Sequence, residues 1–297
     1  MSAQGNRPFG RVLSAMVTPF DVSGAIDLGK AAELAAYLVD EVGNDGLVIS
    51  GTGGESPTTS DSEKADLLAA VVGAVGDRAH IVAGVGTFDT VHSIHLAQAA
   101  AKAGAHGLLV VTPYYSRPPQ SGLLAHFRAV ADATDVPVLL YDIPHRSGVP
   151  IAPETLIALA THEHIVGVKD AKGDVVASGR VMAETGLAYY SGDDALTLPL
   201  LSMGGAGVVG TATHFCAAQT VELVKAFERG DHAEALRIHR QLDPIFTGIF
   251  RTQGAILVKA GLRLRGIEVG PVRLPLVDAT EPEISQLRAD LAAAGLA

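Results

Sequence analysis

Three segments of the chain repeat one pattern: "VGNDGLVIS" (42–50), "AGAHGLLVV" (103–111) and "GGAGVVG" (204–210). Each contains a glycine, two further residues, a second glycine and then an apolar run. The first glycine is typical of a helix end, where the chain turns through a left-handed residue, and a strand follows at once. The pattern therefore predicts a repeating unit in which a helix leads directly into a strand.

Eight short apolar runs have the character of strands, and helical segments separate them. The predicted strands are 12–17, 46–50, 80–85, 107–111, 136–141, 164–169, 187–191 and 206–210, and helical spacing marks 27–42, 61–75, 90–103, 119–133 and 153–160. Strands that are apolar on both faces and alternate with helices indicate parallel pairing. A doubly wound sheet is one alternative, but eight units favour a closed (β/α)8 TIM barrel, an α/β fold.

The chain changes character after about residue 229. The segments 231–250, 253–266 and 281–297 all have helical spacing, and no Gly/Ser-rich or Pro-rich linker precedes them. We therefore predict a (β/α)8 barrel over residues 1–228 and a C-terminal helical region over residues 229–297, packed on the barrel.

Composition limits the kinds of partner. The 297 residues carry a net charge of −10, which argues against a nucleic-acid or anionic-membrane surface. Cys216 is the single cysteine, so no disulfide framework is expected. No signal peptide and no apolar run of membrane-spanning length is recognised. The sequence predicts a soluble cytoplasmic protein that acts on small molecules.

In a barrel of this type, function lies at the carboxyl ends of the strands. The second strand ends in "DGLVISGTGGES" (45–56), but the lysine of a nucleotide-binding loop is missing and Ser56 stands where a dinucleotide fingerprint needs glycine. The loop could be only a tight connection. Alternatively, the Thr52 hydroxyl and the N–H of Gly53 could bind a small anion such as a carboxylate.

Two neighbouring strands end in residues that could do chemistry. Lys169 ends the apolar run "HIVGVK". It could reach solvent, but burial would lower its pKa and let the neutral amine form a Schiff base. Tyr141 ends "VPVLLY" and could be a core residue or a proton relay. Arg146 could be an ordinary surface arginine or could bind a carboxylate through two hydrogen bonds.

Other strand ends are less specific. Tyr114 and Tyr115 precede two prolines in "TPYYSRPPQ" (112–120), which suits an interface as well as a site. The glycine-containing "SGDD" (191–194) could bind phosphate. The histidine pairs at 92 and 95 and at 162 and 164 lack zinc-protease spacing, so no metal site is predicted.

Taken in order, five segments resemble the dihydrodipicolinate synthase family. They are "GTGGES" (51–56), "VTPYYSRPPQ" (111–120), "YDIPHRSG" (141–148), "VGVKDAKGD" (166–174) and "SGDDALTLPLLSMGGAGVV" (191–209). This family belongs to the pyruvate-dependent class I aldolases and lyases, which include N-acetylneuraminate lyase. The resemblance covers nearly the whole chain and is greatest to the enzymes of high-GC Gram-positive bacteria.

The resemblance implies a reaction and a set of roles. Pyruvate would form an imine with Lys169, without any separate cofactor, and would then condense with aspartate 4-semialdehyde to give hydroxy-tetrahydrodipicolinate. The family is generally a homotetramer, a dimer of dimers. The implied catalytic residues are Lys169, Tyr141, Thr52 and Tyr115, the last reaching in from the neighbouring subunit, and the implied substrate-binding residues are Gly53, Arg146, Val209 and Gly192.

The chain departs from the family pattern at three positions. Gly53 replaces a threonine, and Gly210 and Thr211 replace bulkier residues, which we expect to widen the cavity floor. These changes leave open a sister retro-aldolase or dehydratase that acts on another 2-keto acid through the same imine. A non-catalytic barrel is a third reading, and the retained lysine, tyrosine, threonine and arginine argue against it.

The resemblance also argues against feedback inhibition by lysine. Members that respond to lysine carry His and Glu at positions that correspond here to Asp61, Lys64 and His92. The residues present differ in charge from those of the responsive members. We therefore expect no lysine site of the family type.

Overall fold

The computed structural model describes residues 6–297 and has at its centre a closed barrel of eight parallel strands. Each strand pairs with its neighbours in the sequence, and β1 pairs with β8 to close the ring. The predicted (β/α)8 barrel is therefore confirmed. The strands are β1 (Val12–Ala15), β2 (Gly46–Ile49), β3 (His80–Gly84), β4 (Gly107–Val111), β5 (Val138–Asp142), β6 (Ile165–Asp170), β7 (Ala188–Ser191) and β8 (Gly207–Gly210).

The repeated glycine pattern has the predicted geometry. The first glycine of each repeat has a positive φ, 88° at Gly43, 87° at Gly104 and 103° at Gly204. The second glycine begins strands β2, β4 and β8. In β8 the reason is a close approach, because a Cβ on Gly207 would lie 1.9 Å from the carbonyl oxygen of Arg11. The pattern thus combines a helix-ending turn with tight strand packing.

Helices surround the barrel and continue beyond it. They are α1 (Leu28–Ala36), α2 (Asp61–Val75), α3 (Thr90–Lys102), α4 (Gln120–Ala131), α5 (Pro144–Ser147), α6 (Pro153–Leu159), α7 (Val175–Thr185), α8 (Thr197–Ser202), α9 (Thr213–Glu228), α10 (His232–Gly248), α11 (Gly254–Leu264) and α12 (Glu281–Ala293). Local sequence accounts for several of their ends. Ser60 and Glu63, for example, form a capping box at the start of α2.

Apolar side chains fill two layers. Inside the barrel, Leu13, Val48, Val82, Leu139 and Val209 pack together from different strands. A second, larger cluster lies between the strands and the surrounding helices. Because the strands are covered on both faces, they carry the continuous apolar runs seen in the sequence.

The residues after α9 form three helices whose apolar side chains join the outer core. Phe246 of α10, Leu262 of α11 and Leu287 of α12 are buried in the same cluster as the outer faces of the strands. Helix α9 ends at Glu228. The division into separate regions at residue 228 stays a prediction.

Some strand ends differ from the prediction. The first apolar run was expected to be a strand to residue 17, but β1 ends at Ala15. Met16 and Val17 are nevertheless buried, because they pack in the apolar cluster between the strands and the surrounding helices. Among residues 6–297, no helix has both the length and the apolar character that a membrane span requires.

Candidate active site

Strands β5 and β6 bring Tyr141 and Lys169 together at the barrel mouth. The two residues are partners in the strand ladder, and Lys169 Nζ lies 4.3 Å from the centre of the Tyr141 ring. The next residues, Asp142 and Asp170, point to the opposite face, where the Asp170 carboxylate accepts a hydrogen bond from Ser178 of α7. Strand alternation therefore puts the lysine and the tyrosine inside the barrel.

Lys169 is almost fully buried, with 5% of its surface exposed. Burial lowers its pKa, the carboxylate of Asp194 opposes this and the positive charge of Arg146 adds to it, with the result that the pKa is about 8. A lysine with a lowered pKa presents more neutral amine near neutral pH. The structure thus provides the form of lysine that can attack a carbonyl carbon.

Asp194 is a buried carboxylate that the sequence analysis did not single out. Its Oδ2 accepts a hydrogen bond of 2.9 Å from the N–H of Thr211. Burial raises the pKa of Asp194 to about 6, although the N–H groups of Thr211 and Ala212 and the charge of Lys169 oppose this rise. At neutral pH the group is mostly ionised, so it supplies negative charge near the lysine. In the sequence, Asp194 is the second aspartate of "SGDD", a segment that we considered only as a possible phosphate-binding loop.

Tyr141 keeps its proton under ordinary conditions. Burial raises its pKa to about 12, and the nearby Thr52 hydroxyl and the charge of Arg146 only partly offset this. A protonated phenol beside a neutral amine can give a proton to a carbonyl oxygen and later take one back.

The loop after β2 comes close to the end of β1. It passes through two left-handed non-glycine residues, Ser50 and Glu55, with φ of 57° and 56°. Between these two residues, Thr52 and Gly53 line a cavity at the barrel mouth. A Cβ on Gly53 would lie 2.8 Å from the carbonyl oxygen of Ala15, so any larger residue requires the loop or the strand to move.

These groups line a cavity of about 380 Å³. Residues of the barrel form one side, and residues that follow α10 form the other. The wall includes Thr52, Gly53, Tyr141, Arg146, Lys169, Gly192, Thr211, Phe250 and Gln253. A nucleophilic amine, a phenol and a guanidinium around one space suit a small carbonyl compound that carries a carboxylate.

A second cavity, of about 400 Å³, shares part of this wall. Thr52, Tyr141 and Arg146 line both spaces, and Tyr114 and Tyr115 line only the second. Tyr115 is 94% exposed and has a φ of 71°, so its side chain projects from the surface of this single chain.

A family model described as the dihydrodipicolinate synthetase family matches residues 8–294. The chain belongs to this family. It is therefore an enzyme of the dihydrodipicolinate synthetase family, and the resemblance drawn from the five segments is confirmed.

Curated relatives of the family share most of the sequence. The chain is 67% identical to the 4-hydroxy-tetrahydrodipicolinate synthase of Acidothermus cellulolyticus, over 97% of this chain and 93% of the relative. It is 59% identical to 4-hydroxy-tetrahydrodipicolinate synthase 2 of Streptomyces coelicolor, over 97% of this chain and 96% of the relative.

Solved structures of family members have the same fold. A dihydrodipicolinate synthase of Bacillus anthracis is 40% identical, with a TM-score of 0.93 over 96% of this chain and 98% of that one. The enzyme of Cyanidioschyzon merolae, solved with lysine bound, is 43% identical, with a TM-score of 0.95 over 98% of this chain and 100% of that one.

The structure separates the predicted site residues into two groups. Lys169, Tyr141, Thr52, Gly53, Arg146 and Gly192 all line the first cavity. Val209 does not line either cavity, because its side chain packs inside the barrel in the cluster that contains Leu13. The role of Val209 in substrate binding stays a prediction. Tyr115 makes no hydrogen bond to Thr52 within the described chain.

We expected Gly210 and Thr211 to widen the cavity floor, and this prediction is wrong for Gly210. Thr211 lines the first cavity, but Gly210 does not. A Cβ on Gly210 would lie 2.2 Å from Asp194 Oδ1 and 2.7 Å from Thr213 Cγ2. Gly210 therefore makes room for the buried carboxylate behind β8 and does not enlarge the substrate space.

The three positions linked to lysine inhibition make contacts of their own. His92 Nε2 lies 3.0 Å from both carboxylate oxygens of Asp61. Lys64 Nζ donates to the carbonyl oxygens of Ser56 and Thr59, at 3.0 and 2.5 Å. The absence of lysine inhibition stays a prediction.

Replacing Arg146 with glutamine should move imine formation to higher pH. Because the Arg146 charge lowers the pKa of Lys169, its removal raises that pKa and reduces the neutral amine below about pH 8. The measurement is the rate of borohydride trapping at saturating pyruvate, plotted against pH. Arg240→Gln, at an exposed position of α10, is the control and should not shift the curve. An unchanged or acid-shifted midpoint in the Arg146 variant would contradict this electrostatic account.

Proposed function

We propose that the chain condenses pyruvate with aspartate 4-semialdehyde, as a 4-hydroxy-tetrahydrodipicolinate synthase, through an imine on Lys169. The observation that carries the proposal is the buried Lys169, its pKa lowered to about 8, beside Tyr141 in a cavity of about 380 Å³. The names of the relatives favour the synthase over a retro-aldolase or dehydratase. The reaction would supply an early intermediate of lysine and diaminopimelate biosynthesis.

In the proposed reaction the neutral Nζ of Lys169 attacks the keto carbon of pyruvate. The carbinolamine then loses water to form the imine, with Tyr141 giving and taking the protons that this requires. Loss of a methyl proton to the same relay gives an enamine. Its carbon bonds to the aldehyde carbon of the semialdehyde, and the aldehyde oxygen takes up a proton to become the hydroxyl. The amino group of the semialdehyde finally displaces the lysine and closes the ring. One water molecule is released overall, and no redox partner or separate cofactor takes part.

The other site residues would bind and orient these substrates. We assign the N–H of Gly53 and the backbone near Gly192 to the pyruvate carboxylate, and Arg146 to the carboxylate of the incoming aldehyde. A guanidinium suits this task because it donates two parallel hydrogen bonds to a carboxylate.

We also propose that a second copy of the chain completes the site. Tyr115 is exposed, and Phe88, also exposed, packs edge-on against Tyr114 with ring centres 5.4 Å apart. This aromatic surface suits a tight dimer, in which Tyr115 of the partner subunit would reach Thr52 and extend the relay from Tyr141. Two such dimers would form the tetramer. Sedimentation at assay concentration tests the assembly, and an active monomer would contradict it.

A coupled assay with aspartate 4-semialdehyde tests the proposed function. We expect turnover that requires both substrates, together with borohydride trapping of pyruvate on Lys169. Trapping without semialdehyde turnover would assign the chain to another reaction of the same imine. The absence of trapping would remove the imine mechanism altogether.

Gly53→Thr should lower turnover in this assay. A threonine side chain requires displacement of the Ala15 carbonyl, and overpacking of this kind typically costs about 1–3 kcal/mol. We expect kcat/KM for pyruvate to fall by roughly 5- to 100-fold on that scale. Gly73→Ala is the control, because no atom lies within 4 Å of its Cβ position. A large gain in Gly53→Thr would show that the native loop is shaped for a different substrate.

A further inference from the structure

Glu55 is a buried carboxylate in the loop that carries Thr52, yet it does not line either cavity. It follows Thr52 by three residues, and its side chain is 1% exposed. Its φ of 56° and ψ of 34° place it in the left-handed region, which is costly for a residue other than glycine. The strained backbone directs the carboxylate away from the substrate space.

The partners of the Glu55 carboxylate come from the C-terminal region. Lys259 of α11 is fully buried, and its Nζ lies 2.8 Å from Glu55 Oε1. The same Nζ donates a hydrogen bond of 2.7 Å to the carbonyl oxygen of Pro271. The backbone N–H of Arg273 donates a hydrogen bond of 2.8 Å to Glu55 Oε2. Glu55 therefore connects the β2 loop to the chain between α11 and α12.

Phe20 closes this connection off from water. Lys259 Nζ and the Arg273 guanidinium carbon lie 4.3 Å and 4.2 Å from the centre of its ring. Phe20 is itself buried, and its N–H donates to the carbonyl oxygen of Val269. Both cations therefore make cation–π contacts with the same buried ring, and these contacts help to hold Lys259 in position beside Glu55.

The connection continues to Thr52 through the backbone. The N–H of Glu55 donates to the Thr52 carbonyl at 3.2 Å, and Gln253 Nε2 donates to the same oxygen at 3.4 Å. Thr18 Oγ1 donates to the carbonyl of Gly54, between them, at 2.7 Å. A short path of direct contacts thus leads from Lys259 through Glu55 to Thr52, which lines both cavities together with Tyr141.

Stability alone is a poor reason for this arrangement. A buried ion pair loses much of its attraction to the cost of removing both charges from water, and an apolar pair of similar size is often as stable. What an ion pair adds is a defined geometry, because only one placement of the loop lets Glu55 meet its partners. The strained backbone at Glu55 is consistent with a loop held in place from outside.

We propose that Glu55 and Lys259 are positioning residues, whose buried ion pair holds Thr52 in its place beside Tyr141 on the wall that both cavities share. The inference rests on the proposed function, because Thr52 and Tyr141 must act in proton transfer for this placement to affect turnover. It assigns the glutamate of "GTGGES" to the placement of its loop. It also makes α11 part of the machinery that shapes the site.

The test compares Glu55→Gln with the double variant Glu55→Gln/Lys259→Met. The single variant leaves the lysine without its partner, whereas the double variant removes both charges. We expect kcat to fall at least about tenfold in both, with KM for pyruvate changed much less, because Lys169 and the cavity wall remain. We expect the melting temperature to fall in the single variant and to recover in the double variant. Glu222→Gln, which breaks an exposed Lys225–Glu222 pair of 3.0 Å on α9, is the control.

The outcomes separate this inference from the proposed function. If the double variant recovers kcat as well as melting temperature, the ion pair has only a structural role and the proposal is overturned. Wild-type kcat in both variants, or a double variant that fails to fold, would also overturn it. If the unaltered enzyme does not trap pyruvate, the proposed function fails instead, whatever these variants do.

Discussion

Replacing Lys169 with methionine should abolish pyruvate trapping and reduce turnover by on the order of 10⁴-fold or more. Methionine has similar length and no amine, so the cavity keeps its shape and loses only the nucleophile. Mass spectrometry after borohydride treatment measures the adduct, and the coupled assay measures turnover. The unaltered enzyme should show a reduced three-carbon adduct on the peptide that contains Lys169.

The matched control is Lys102→Met, at the exposed end of α3. It should trap pyruvate and turn over substrate like the unaltered enzyme. An adduct on another lysine in the Lys169 variant would show that the nucleophile has been misassigned. Substantial turnover without any adduct would show that the reaction does not pass through an imine.

Replacing Tyr141 with phenylalanine should lower kcat by about 10²–10³-fold, a typical contribution of general acid–base catalysis. Phenylalanine keeps the ring that lies 4.3 Å from Lys169 Nζ and removes only the hydroxyl. Trapping should still occur, but more slowly, because the amine remains while the proton donor is lost. Rapid-quench trapping and the steady-state assay measure the two effects separately.

Tyr189→Phe is the control for this variant. Tyr189 is buried on β7, lies outside both cavities, and its hydroxyl has no hydrogen-bond partner among the described residues. Removing that hydroxyl should leave kcat and folding stability close to those of the unaltered enzyme. A small effect at Tyr141, comparable to that at Tyr189, would mean that another group transfers the proton.

The architecture could be predicted because its signals are local. The repeat consists of a glycine that ends a helix and a strand that begins two or three residues later. Both features depend on neighbouring residues, so the repeat can be recognised in the sequence. Strand ends were less predictable because apolar residues continue past them. Met16 and Val17 lie past the end of β1 but are still buried in the apolar cluster between the strands and the helices, so their apolar character does not reveal where the strand ends.

The site could be predicted in part for the same reason. Lys169 and Tyr141 end apolar runs, and adjacent parallel strands necessarily bring their ends together. Asp194, by contrast, lies in the loop after β7, where its carboxylate accepts a hydrogen bond from the N–H of Thr211 beyond β8. The partnership of Glu55 with Lys259 joins residues far apart in the chain. Such contacts depend on the assembled tertiary structure.

The tyrosines at the two cavities have an optical consequence. The chain contains no tryptophan and six tyrosines, so its intrinsic fluorescence comes from tyrosine without energy transfer to tryptophan. Three of the six, Tyr114, Tyr115 and Tyr141, line the cavities. Tyr141 lies directly beneath the charge of Lys169, which disappears or changes when that nitrogen reacts. The emission of the unlabelled protein is thus a built-in reporter of events at its own lysine.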